Sequence, residues 1–66
     1  MKKFRIIDLK DGLNVLGGDV AENNAQIEMN MSEGRDKFKL LNVGESITCR
    51  FHCCGTSGYY KVLRVE

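Results

Sequence analysis

Ile47-Thr48-Cys49-Arg50-Phe51-His52-Cys53-Cys54, followed by Gly55-Thr56-Ser57-Gly58 and then Tyr59-Tyr60-Lys61-Val62-Leu63-Arg64-Val65, is the stretch on which the fold turns. In the first block Ile47, Cys49, Phe51 and Cys53 alternate with Thr48, Arg50, His52 and Cys54. Strand side chains point to opposite faces in turn, so a period of two specifies a strand with one apolar and one polar face. The glycine-bounded segment reads as a turn and the last block as a returning strand. There Tyr60 and Val62 oppose Tyr59, Leu63 and Val65, so both faces are apolar. Such a strand is central in its sheet, bulged, or exposed for pairing with another molecule.

Working outward, Ala25, Ile27, Met29 and Met31 alternate with Gln26, Glu28, Asn30 and Ser32, and Phe38 and Leu40 alternate with Lys37 and Lys39. Near the start, Phe4 and Ile6 oppose Ile7 and Leu9. The chain has no proline, and Asp11-Gly12, Gly17-Gly18, Glu33-Gly34 and Val43-Gly44-Glu45 supply the remaining turns. Strands are therefore expected near 2–9, 12–16, 25–32, 37–43, 46–53 and 59–65. The competing picture is a short helix within 20–32. Asp19 and Glu22 are spaced as in a capping box, and Val20, Asn24, Ile27 and Met31 would share one helical face. The asparagines at 23, 24 and 30 are mediocre helix formers, which favours the strand. The expected fold is all-β: a single domain over 1–66, built as a small antiparallel barrel or curled sheet of five to six short strands.

At 66 residues the core is thin, because a chain of this size hides only about 60% of its unfolded surface. No apolar run is long enough to span a membrane. The start, Met1-Lys2-Lys3-Phe4-Arg5-Ile6-Ile7-Asp8, does not read as a secretory signal, since Arg5 and Asp8 interrupt its apolar stretch. Three cysteines, two of them adjacent, make a poor disulfide framework and suit a reducing compartment, so a cytoplasmic location is expected. Charge is segregated along the chain. Residues 1–7 carry three positive charges, residues 8–33 a net of −5, and residues 34–66 a net of +3. An acidic and a basic side would result if the strands sort accordingly.

The cluster Cys49, His52, Cys53 and Cys54 suggests zinc, and strand geometry argues against it. Cys49 and Cys53 would lie roughly 13 Å apart on an extended strand, whereas a zinc–sulfur bond is about 2.3 Å. Only His52 with Cys54 could chelate together, so no metal and no cofactor is expected. A phosphate loop of the His-Cys-x5-Arg kind is excluded, because Tyr59 stands where its arginine would be. A catalytic thiolate needs nearby positive charge to lower its pKa. Arg50 and His52 could help, but no orienting partner is identifiable, and a cysteine-dependent enzyme is the minor alternative.

Surplus apolar surface is the remaining signal. With a thin core, some of Ile7, Leu9, Tyr59, Leu63 and Val65 should lie outside, and two successive tyrosines cannot both point inward. The favoured reading is a non-enzymatic binding module that homo-oligomerises through a terminal strand. It would act on a protein surface or sequester a ligand, as a small regulator or inhibitor of the phage-encoded type does. Tyr59, Tyr60, Lys61 and Leu63 are its expected contacts. The alternative is a single-stranded nucleic-acid-binding barrel using Lys37, Lys39, Arg50, His52, Tyr60 and Lys61, since every aromatic lies beside or one residue from a basic side chain.

Overall fold

The two terminal apolar strands pair with each other, and the rest of the sheet is built around them. The computed structural model describes residues 1–66. Its elements are β1 (Lys3–Asp8), β2 (Val20–Ala21), α1 (Glu22–Met29), a 3-10 turn (Phe38–Leu40), β3 (Ser46–Cys53) and β4 (Thr56–Arg64). All pairings are antiparallel, and the spatial order is β2-β1-β4-β3. β1 and β4 are thus the two central strands, which accounts for the apolar residues on both of their faces.

Ile6 lies opposite Val62, which lies opposite Ile47, and Cys49 lies opposite Tyr60. These residues form the inner face, with Phe4 at one end and Phe51 at the other. Ala25, Met29, Phe38 and Leu41 cover it from α1 and the 3-10 turn, and the core holds nine buried apolar residues. Phe4 and Phe38 meet edge to face with ring centroids 5.1 Å apart. Phe51 lies flat on Tyr60 at 4.1 Å. Opposite Phe51 stands Gly58, and a Cβ there would come within 2.9 Å of the phenyl ring. The absent side chain is what lets the aromatic ring lie over the strand.

The sheet departs from the expected barrel of five to six strands: it has four strands and stays open. Residues 25–32 are where the main difference arises. They form most of α1 and its exit, because only Ala25 and Met29, four residues apart, are fully buried there, while Ile27 is 71% exposed. The expected capping box is not used either. Ala21 is the N-cap with no side-chain bond, and Asp19 pairs with Arg5 instead, at 2.8 and 3.2 Å.

The strand expected over 37–43 is the 3-10 turn, entered by Lys37 and Phe38 N–H bonds to the Gly34 carbonyl. Phe38 and Leu41, three apart, are buried and Leu40 is 81% exposed, a spacing that suits a three-residue repeat. The strand expected over 12–16 shrinks to one bridge between Asn14 and Ile7, flanked by two backbone bonds to β1. Finally, the glycine-bounded turn is shorter than expected. Only Cys54 and Gly55 turn, with φ of 51° and 81°, and Thr56-Ser57-Gly58 already belong to β4.

Candidate binding face of the sheet

Alternation along β1, β4 and β3 assembles a second face from the residues left out of the core. Arg5 lies opposite Leu63, which lies opposite Ser46. Ile7, Lys61 and Thr48 form the next row. The Leu9 N–H donates to the Tyr59 carbonyl at 3.0 Å, which carries the register one residue beyond β1 and sets Leu9 beside Tyr59, itself opposite Arg50. Since α1 and the 3-10 turn lie on the inner side, no element covers this outer face. Leu9 is 48% and Tyr59 52% exposed, Ile7 and Leu63 are half-buried, and Thr48, Arg50, His52 and Lys61 are exposed.

The face is also basic. Arg50, His52 and Lys61 have no salt-bridge partner, and of these rows' cations only Arg5 is neutralised, by Asp19. The charge-assisted bond from Arg5 holds the Asp19 carboxyl below its ordinary range, and the same bond raises Arg5 above its own. Across the sheet, α1 carries Glu22 and Glu28 and no basic residue. The inner side is not purely acidic, since Lys39 on the 3-10 turn and Arg64 opposite Phe4 lie there too, so the charge segregation along the chain is only partly carried into space.

β3 is the outer strand on this side, and only half of its edge is taken. The Arg50 carbonyl accepts from the Glu33 N–H at 2.8 Å, and the His52 N–H donates to the Met31 carbonyl at 2.9 Å. Both peptide groups of a residue in an antiparallel strand point the same way, so Ser46, Thr48, Arg50 and His52 all face the edge. Residues 31–33 cover Arg50 and His52, leaving Ser46 and Thr48 open. Beside that opening lies a groove of ≈ 660 Å³ whose lining includes Glu33, Gly34, Lys37, Thr48, Arg50 and Tyr59. Gly34 is required in its wall, because a Cβ there would collide with the Cys49 sulfur.

Of the expected protein contacts, Tyr59, Lys61 and Leu63 line up on the outer face. Tyr60 does not: it is 5% exposed, and its hydroxyl donates to Glu28 Oε2 at 2.6 Å. Burial above all, and then the Glu28 carboxylate, push its phenol well above the ordinary value. Of the residues expected to touch nucleic acid, Arg50, His52 and Lys61 share this face and Lys37 joins Arg50 and Tyr59 around the groove. Lys39 lies apart, its carbonyl accepting from Lys2 Nζ at 3.3 Å. Self-pairing through a terminal strand is closed off, since β1 and β4 are flanked on both sides. What sequence reasoning missed is the open edge at Ser46 and Thr48. Its signal was the uncharged, proline-free run Ser46-Ile47-Thr48-Cys49, which lacks the usual guards of an edge strand.

No group of three or more histidine, cysteine, aspartate or glutamate side chains converges. All three cysteines are free, and burial pushes the Cys49 thiol up. No helix is long and apolar enough to cross a membrane. The fold and face define a small, mostly β chain with an open sheet packed on one side only. Comparison with models of known protein families, with curated proteins and with solved structures returns no match.

Proposed function

We propose that this protein is a non-enzymatic binding module of the cytoplasm, a small regulator or inhibitor that docks the bare face of its sheet onto another protein. One observation carries the reading: Tyr59, half-exposed between Leu9 and Arg50, stands at the centre of a sheet face that nothing in the chain covers. Tyrosine and arginine are among the residue types enriched at the energetic centres of protein interfaces. The unbalanced Arg50 and Lys61 suit an acidic surface. The raised thiols of Cys49 and Cys53 weigh against a cysteine nucleophile, which needs the opposite shift. Free cysteines are in keeping with a reducing compartment.

The open half of β3 supports a homo-oligomer, with Ser46 and Thr48 pairing against the same strand of a second copy. Thr48→Pro tests this cleanly. It removes an N–H that points away from β4, so the β3–β4 ladder survives while strand addition is blocked. Sedimentation equilibrium should show wild-type dimers and Thr48→Pro monomers. A wild-type monomer at every concentration would sink self-association. Tyr59→Ala should leave the dimer intact and abolish capture of the partner protein.

A second reading has its own observation. Tyr59 offers a stacking surface among Arg50, Lys61 and His52, with Lys37 at the rim, an arrangement that suits a single-stranded nucleic acid. Anisotropy of a labelled oligonucleotide decides it. Binding that weakens steeply from low to moderate salt and disappears in Tyr59→Ala supports this reading, and salt-independent binding removes it.

A further inference from the structure

The turn between β3 and β4 holds two adjacent thiols that the binding face does not use. Cys53 and Cys54 Sγ atoms lie 3.5 Å apart, Cys53 half-buried, Cys54 exposed, and neither in a disulfide. The backbone does not ask for cysteine at this place. Cys54 and Gly55 both have positive φ, as a two-residue hairpin turn requires, and asparagine, aspartate or glycine fill the first of these positions at the lowest cost. Gly55 is accounted for by the turn and Cys54 is not. The hydroxyl of Thr56 donates to the Cys53 carbonyl at 2.7 Å, which steadies the strand end beside the pair.

The separation selects what the two sulfurs can hold. Adjacent α-carbons are about 3.8 Å apart, shorter than the ~4.4–6.8 Å span that disulfides normally bridge, so direct oxidation to a disulfide is disfavoured. A single atom bonded to both sulfurs at about 2.3 Å would instead subtend an S–X–S angle of roughly 100°. That is the angle of a three-coordinate, pyramidal centre with a lone pair, and far from the linear or trigonal arrangement of monovalent copper. We infer that Cys53 and Cys54 form a dithiol site for a soft, trivalent metalloid centre, represented by a trivalent organoarsenical.

Capture is a condensation without redox change. From the hydrated arsenical, two arsenic–oxygen bonds break and two sulfur–arsenic bonds form. The two thiol protons leave with the two hydroxyl groups as two waters, and arsenic remains trivalent. The hydrogen bond with Cys54, followed by its charge, raises the Cys53 thiol, which slows simple alkylation at that sulfur.

Phenylarsine oxide, added to the reduced full chain and followed by intact mass spectrometry, tests the site. One phenylarsenic group should add per chain, resist excess 2-mercaptoethanol and leave with 2,3-dimercaptopropanol. Cys54→Gly should fold as well as wild type, because glycine suits the positive φ, yet bind at least about 100-fold more weakly, as loss of the second linked contact implies. Circular dichroism checks its fold. Cys53→Ser should behave alike. Full labelling of Cys54→Gly, reversal by the monothiol, or no adduct on wild type would overturn the inference. None of these results depends on Tyr59 or on the open β3 edge.

Discussion

Tyr59 and Tyr60 are neighbours on one strand with opposite surroundings. Tyr60 is 5% exposed, stacked on Phe51 and bonded to Glu28, whereas Tyr59 is 52% exposed beside Arg50. The difference extends to the two faces of the whole sheet. The inner face is closed by α1 and the 3-10 turn and contributes stability. The outer face has the same strands and fewer apolar residues, namely Ile7, Leu9, Tyr59 and Leu63, and nothing lies over it. A 66-residue chain has one short helix to spend on covering a sheet, so one face stays bare. What a residue does here therefore follows from the parity of its position more than from its type.

The largest test of that claim is a matched pair of truncations. Phe4 is fully buried on the inner face and Leu63 half-buried on the outer. Phe4→Ala should cost about 3–5 kcal/mol, from lost burial and the cavity left behind. A domain of this size has roughly 3–10 kcal/mol in all at ~0.05–0.15 kcal/mol per residue, so this variant should be partly or wholly unfolded at room temperature. Leu63→Ala should cost no more than about 1 kcal/mol. Urea melts of both would settle it, and equal losses would mean that the outer face is packed after all.

The tyrosines themselves come next. Tyr60→Phe removes a charge-assisted bond and should cost about 1.5–3 kcal/mol, while Tyr59→Phe should change nothing measurable. The effect carries a pH signature. Tyr60's phenol is raised in the folded chain, mainly by burial, so its contribution is fully present below the unfolded value of about 10 and is lost as pH rises beyond it. Wild type should therefore lose stability above about pH 10 more steeply than Tyr60→Phe. Parallel alkaline limbs would contradict the buried phenol.

How far all this could be read from the sequence depends on which period each segment obeys. The β3–β4 hairpin was legible because Ile47, Cys49 and Phe51 on one strand and Tyr60 and Val62 on the other repeat every two residues without ambiguity. That one tyrosine must face out was equally legible, but the buried one is chosen by α1, which closes on Tyr60. The helix was legible as the competing reading of 20–32, and it ranked below the strand because Ala25 and Met29 are four apart, a spacing that fits both alternation and a helical turn. Ile27 and Met31 completed a false strand pattern while remaining exposed. The thiol pair was legible only as adjacent cysteines unsuited to a disulfide framework: with the strand ended at Cys53 and Gly55-Thr56-Ser57-Gly58 read as the turn, the positive φ of Cys54 was not foreseen.

Gly34→Ala sharpens the comparison at the boundary between the faces. Its new methyl would meet the Cys49 sulfur and crowd Met29, both in the core, so a loss of about 1–3 kcal/mol is expected from overpacking. Because residues 31–33 are held on the β3 edge by backbone bonds to Arg50 and His52, the strain should also loosen that cover. Amide exchange at His52, whose N–H donates to the Met31 carbonyl, should quicken more than exchange at Val62 in the sheet centre. Uniform acceleration would show that the edge cover and the core open as one unit.

The smallest effect on stability is expected at Asp19, and there the two faces part company most cleanly. Its bond to Arg5 is an exposed one, and exposed ion pairs contribute little. The carboxyl is held low in the folded chain, so whatever it contributes is present above about pH 4 and fades as the pH falls through its lowered value. Asp19→Asn should therefore leave the thermal midpoint at neutral pH almost unmoved. It also frees Arg5 on the outer face, adding one unbalanced positive charge beside Leu63. Binding of an acidic partner should strengthen at low salt, and if that partner is a single strand, the log–log salt slope should steepen by about 0.7. A variant that loses stability and gains no affinity would place Asp19 with the core residues, and the division of labour between the faces would fail at that corner.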